Sequence, residues 1–107
     1  MEFSNELTPA QVERLAILLE ELGEAQQCIG KILRHGYESR NPLDVNSATN
    51  RQLLQSELGD VLYSVMQLGA NLDVKLPAIW QRSEEKREKI KPYLHHQSAL
   101  VANTEHE

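Results

Sequence analysis

The sequence predicts an all-α protein, an antiparallel bundle of about three to four helices completed by oligomerisation. Three observations lead there. Apolar residues recur every three or four positions in three separate stretches, and no stretch alternates as a half-buried strand would. Helix starts and stops punctuate those stretches, with Thr8-Pro9 before the first and Gly36 after it. The middle stretch is apolar around most of its circumference, more than one short chain can cover.

The elements follow in order. Residues 1–7 read as a loose arm. Thr8 is an N-cap, Pro9 suits the first helical position, and Gln11 closes a capping box. The first helix then runs to about His35, where Gly36 stops it. Its core face is expected to be Leu15, Leu18, Leu19, Leu22, Ala25, Ile29 and Leu33, opposite the carboxylates Glu20, Glu21 and Glu24. Gly36 to Thr49 is rich in turn formers and without periodicity, and a loop of that length is usually functional or disordered. A second helix begins at Ala48 or Asn50 and reaches about Asn71. Pro77 opens a third, which carries Ile79 and Trp80, then a charged run from Arg82 to Lys91 with Ile90, and ends or kinks at Pro92. Residues 8–92 form one domain, and 93–107 a polar, flexible tail.

Composition bounds the function. The chain has 107 residues and a formal net charge of −5, which argues against a nucleic-acid partner, since that would call for a basic face. A single cysteine excludes an internal disulfide and fits a reducing compartment. No apolar stretch has membrane length, and no charged start followed by an apolar run suggests a signal peptide, so a cytoplasmic protein is expected.

The acids carry the chemistry. Glu57 and Asp60 are the only charged residues between Arg51 and Asp73. They are set among Leu53, Leu54, Leu58, Val61, Leu62, Val65, Met66 and Leu68, on a helix expected to be buried on most sides. Buried carboxylates must be paired, protonated or bound to metal. Their i, i+3 spacing puts both on one face. On the first helix Glu20, Glu21 and Glu24 share roughly 100° of arc. If the two helices pack, five carboxylates converge with no basic cluster between them. Two such charges about 5 Å apart repel by roughly 3 kcal/mol at an effective dielectric near 20. A hard divalent cation, Mg²⁺ or Mn²⁺, suits an oxygen-only ligand set. Zinc would need His or Cys at ligand spacing. A carboxylate-bridged di-iron bundle would need Glu-x-x-His pairs.

Glu-Glu-x-x-Glu on one helix and Glu-x-x-Asp on the next resembles the MazG-like all-α nucleoside triphosphate pyrophosphohydrolases, a likeness covering about Pro9 to Pro92. The resemblance implies a helical bundle assembled as a homodimer or homotetramer. It also implies Mg²⁺-dependent cleavage of a nucleoside triphosphate between the α- and β-phosphates, giving monophosphate and pyrophosphate. On that basis Glu21, Glu24, Glu57 and Asp60 are the metal ligands and Glu20 the base that takes a proton from the attacking water. Relatives carry a Lys and an Asn on the third helix. Here those turns read Ser83-Glu84-Glu85-Lys86-Arg87-Glu88-Lys89, so Lys86, Lys89 and Lys31 are the candidates to steady phosphates. Lys31 and His35 equally suit a surface lysine and a last-turn histidine. Glu38 and Asp44 in the loop could accept from guanine's paired donors, a lean toward dGTP or GTP. Alternative substrates are phosphoribosyl-ATP, dUTP and dCTP, and the non-enzymatic alternative is a helical oligomerisation module. Cys28 reads as a small buried hydrophobe, Tyr63 and Trp80 as core or interface, and His95, His96 and His106 as part of the tail.

Overall fold

The computed structural model describes residues 4–97. Of the expected arm and tail, residues 1–3 and 98–107, His106 among them, lie outside the described residues. The described residues form three helices, α1 (Pro9–His35), α2 (Asn50–Ala70) and α3 (Leu76–Lys89), followed by a 3-10 turn over Lys91–Tyr93, with no strand among them. The chain divides into two compact units, Met1–Val74 and Lys75–Glu107.

In the first unit, α1 starts where its capping box dictates. The Thr8 side chain accepts from the Gln11 amide at 3.1 Å, and Gln11 Oε1 accepts from the Thr8 amide at 2.9 Å. Gly36 ends the helix at φ 89, a conformation that favours glycine, and its amide donates to the Ile32 carbonyl. A second capping box opens α2, with Thr49 as cap and Gln52 closing it.

The helices α1 and α2 pack together in opposite directions. Cys28, late in α1, donates its S–H to the carbonyl of Asn50, the first residue of α2. Arg14, early in α1, binds Asp73, just past the end of α2, through Nε and Nη2 at 2.6 and 3.0 Å. The pair is mostly buried, and the Arg14 guanidinium holds the Asp73 carboxyl below its ordinary range. Leu72 adopts φ 61 to bring this about. That left-handed turn costs a non-glycine residue about 1–2 kcal/mol, and it lets the amides of Asp73 and Val74 return to the Leu68 carbonyl.

The packed face of α1 differs from the expected one. Ala25 and Cys28 are buried, and Arg14, Leu18, Glu21 and Ile32 are half-buried in the same stripe. Leu15, Leu19, Leu22, Ile29 and Leu33, expected as core opposite the acids, are exposed, Leu33 at 83 %. The cause is the small pair Ala25 and Cys28, which lets the α2 backbone come close on the side that carries Glu21. The leucine stripe lies roughly 100° further round. The second helix is likewise less covered than its composition suggested. Within the first unit it packs on α1 along one stripe of Asn50, Leu54, Glu57, Val61, Ser64 and Leu68, and Leu58, Leu62 and Tyr63 are exposed.

In the second unit, α3 begins one residue before Pro77 and ends at Lys89, short of Pro92, which falls in the 3-10 turn. Three ion pairs at i, i+3 spacing line it and its end: Arg82–Glu85, Glu84–Arg87 and Glu88–Lys91. The helix buries no residue, and Trp80 is exposed rather than part of a core.

Candidate metal centre

The stripe that joins α1 to α2 places carboxylates in its middle. Reading along α1, Glu21 falls in series with Leu18 and Ala25; along α2, Glu57 falls in series with Leu54 and Val61. Their side chains therefore point into the seam rather than into water. Asp60 follows one turn later on the exposed flank of α2. One carboxylate oxygen each from Glu21, Glu57 and Asp60 lies within 4.8 Å of the other two. Glu24 borders a cavity of about 210 Å³ together with Glu57, Cys28, Lys31 and Leu53. Glu20 is exposed beside the cluster.

The electrostatics are those of uncompensated charge. Among the described residues none of the five acids has an ion-pair partner. Glu21 Oε2 and Glu57 Oε2 are buried atoms with no hydrogen-bond partner. A buried carboxylate oxygen normally finds a donor, so two orphans in one acid cluster call for an explanation. The Glu21 carboxyl is raised above its ordinary range, first by burial and then by the charges of Glu24, Asp60, Glu57 and Glu20. The Glu57 carboxyl is also raised, first by burial, then by the Glu24 carboxyl lying against it and by the charge of Asp60. Oxygen donors alone, converging from two helices with two of them unsatisfied, fit a hard divalent cation.

The remaining predicted site residues fall in different places. Lys31 borders the acid cavity and also a larger cleft of about 690 Å³, formed by the last turns of α1 and the following loop, which His35 lines as well. Glu38 lies outside that lining: its Oε1 accepts from Arg51 Nε at 2.7 Å, and the Arg51 guanidinium also stacks over the Tyr37 ring. Asp44 is spent on its own loop, accepting from the Asn46 amide. Lys86 and Lys89 belong to α3 in the second unit. Sequence reasoning passed over Arg34 and Arg40, which also line the cleft. The signal available was the clustering of basic residues around Lys31.

Among the described residues no helix is long and apolar enough to cross a membrane. No family model matches the chain, and no solved structure matches it. A stretch of 69 residues is 41 % identical to the gene 37 protein of Mycobacterium phage L5, covering 64 % of this chain and 55 % of that protein. This chain thus spans little more than half the length of that relative.

Proposed function

We propose that this chain is a divalent-cation-dependent pyrophosphohydrolase of nucleoside triphosphates, of the MazG-like all-α kind, working as a homo-oligomer. The observation that carries the reading is that Glu21 and Glu57, brought from two helices into one acid cluster, each have a buried oxygen, Oε2, without a hydrogen-bond partner. A merely structural seam would place apolar or paired groups there.

Glu21, Glu24, Glu57 and Asp60 would hold Mg²⁺ or Mn²⁺. Such an ion supplies positive charge against phosphate oxygens and a more acidic water. Glu20, exposed at the rim, takes the proton of the attacking water. The water oxygen bonds to the α-phosphorus as the bond to the bridging oxygen breaks, and pyrophosphate leaves. Lys31, bordering the acid cavity, steadies the phosphates as a point charge. Lys86 and Lys89 are candidates for the same work by their chemistry alone. The lean toward guanine rests on Glu38 and Asp44, and a guanine there would have to compete with Arg51 for the first carboxylate and with the Asn46 amide for the second.

The test is a nucleotide panel with Mg²⁺: dGTP, GTP, dATP, dCTP, dUTP and phosphoribosyl-ATP, scored for pyrophosphate against orthophosphate. The expected result is pyrophosphate plus monophosphate from at least one of them, abolished by EDTA. Orthophosphate as the product, or no turnover of any, removes the assignment and leaves the oligomerisation module. The highest kcat/KM among the substrates gives the base preference, and a dUTP or dCTP optimum overturns the guanine lean.

Assembly follows from the uncovered apolar surface. Leu19 and Leu33 on α1 are 73 and 83 % exposed, and Leu62 on α2 is 62 % exposed. So many large apolar side chains exposed on a chain of this size support an interface between copies. Light scattering at micromolar concentration should give a dimer or tetramer of the 12.2 kDa chain; a monomer mass refutes the homo-oligomer.

A further inference from the structure

Five basic residues precede Lys75: Arg14, Lys31, Arg34, Arg40 and Arg51. Arg14 and Arg51 are paired with carboxylates, to Asp73 and Glu38. The other three all line the 690 Å³ cleft at the end of α1, together with His35, and no acidic residue lines it. In a chain of net charge −5, every cation of the first unit without a carboxylate partner among the described residues has collected in one concavity. Its volume lies within the range of small-molecule sites.

The cleft is held open by a folded loop. The amides of Asn50 and Arg51 donate to the carbonyls of Ser39 and Tyr37, both at 2.8 Å. Asn50 Nδ2 donates to the Gly36 carbonyl, and Asn41 N to Ser47 Oγ. Those bonds also use up the first amides of α2, with the Gln52 amide taken by Thr49 Oγ1. The N-terminus of α2 therefore has no donors to offer a ligand, and recognition falls to the side chains. Arg40 Nη1 gives one bond to the Val45 carbonyl, which fixes its guanidinium over the loop. The cleft and the acid cavity share Lys31 and Leu53, so they adjoin.

We infer that this cleft is an oxyanion site in which Lys31, Arg34, His35 and Arg40 take a phosphate group, and that one polyphosphate chain lies across it and the adjoining acid seam. The second half rests on the pyrophosphohydrolase reading; the first does not. Guanidinium groups bind phosphate oxygens through paired charge-assisted hydrogen bonds. The acids repel a polyphosphate, and the basic cleft next to them offsets that repulsion, so anion binding needs no cation.

The test is calorimetric titration with inorganic tripolyphosphate in EDTA, where no hydrolysis runs. The wild type should bind, with affinity falling as salt rises, and deoxyguanosine should not. Arg34→Gln should weaken tripolyphosphate on the order of tenfold. Arg40→Gln should do the same; since it also removes the bond to Val45, Arg34→Gln is the variant that leaves the loop intact. Arg82→Gln on α3 should leave binding unchanged. Absence of binding in EDTA, equal affinity in the wild type and Arg34→Gln, or an equal loss in Arg82→Gln overturns the site. Because the readout is binding without metal, a failed nucleotide panel leaves it standing, and a failed titration leaves the hydrolase assignment standing.

Discussion

Glu57→Gln is expected to raise the melting temperature of the protein in EDTA and to abolish its stabilisation by Mg²⁺ or Mn²⁺. Both effects come from one atom group. The Glu57 carboxyl is half-buried with an orphaned oxygen, beside Glu24, Glu21 and Asp60. Glutamine keeps the shape, removes the charge and brings a donor to the neighbouring carboxylates. The pH dependence has a definite sign. Glu57 and Glu21 are held above their ordinary values in the folded chain. Their contribution to stability is thus whole below the unfolded carboxyl range and is lost as pH rises through the folded values. In EDTA the wild type should lose melting temperature relative to the variant as pH rises above the ordinary carboxyl range toward neutrality. With metal the order reverses at neutral pH. A cation at a hundred times its Kd contributes about 2.7 kcal/mol, roughly 10–20 °C for a chain of this size. Equal melting curves for the two proteins in EDTA and in Mg²⁺ would remove the metal centre.

Glu20→Gln should depress kcat on the order of 10²–10⁴-fold, the range for loss of a positioned general base. KM and the metal-induced rise in melting temperature should stay near those of the wild type. Glu20 is exposed at the side of the cluster, and no buried oxygen of it is orphaned. It therefore suits proton transfer better than holding an ion in the seam. The split between kcat and metal response separates the two roles. Near-wild-type turnover would take the base away from Glu20, and a lost metal response would move it among the ligands.

The helix boundaries were legible because local chemistry sets them. Thr8, Pro9 and Gln11 form a self-contained start, and Gly36 a self-contained stop. The acids were legible for a related reason, since Glu57 and Asp60 stand alone among apolar residues. The face on which α1 packs was not. Leucines at 15, 19, 22 and 33 outweigh Ala25 and Cys28 in any hydrophobic tally, yet the small residues decide how close two backbones come. The Arg14–Asp73 pair joins positions 59 apart and carries no local sign. The pairing of Glu38 with Arg51 was likewise hidden, and it takes up one of the two carboxylates, Glu38 and Asp44, on which the guanine lean depends.

The α1–α2 hairpin is fastened at both ends and charged in the middle. Loop carbonyls and the Cys28 thiol bind the first residues of α2; Arg14 clamps Asp73 at the other end. Repulsion at the centre can therefore bow the two rods apart without unzipping them. The hairpin is sprung like a clothes peg closed at each tip, and its cheapest fluctuation is a local bulge at the acid seam rather than fraying from an end. An ion held at the proposed centre would enter and leave through that bulge, by breathing of a folded hairpin, unlike the small metal domains that fold only once loaded.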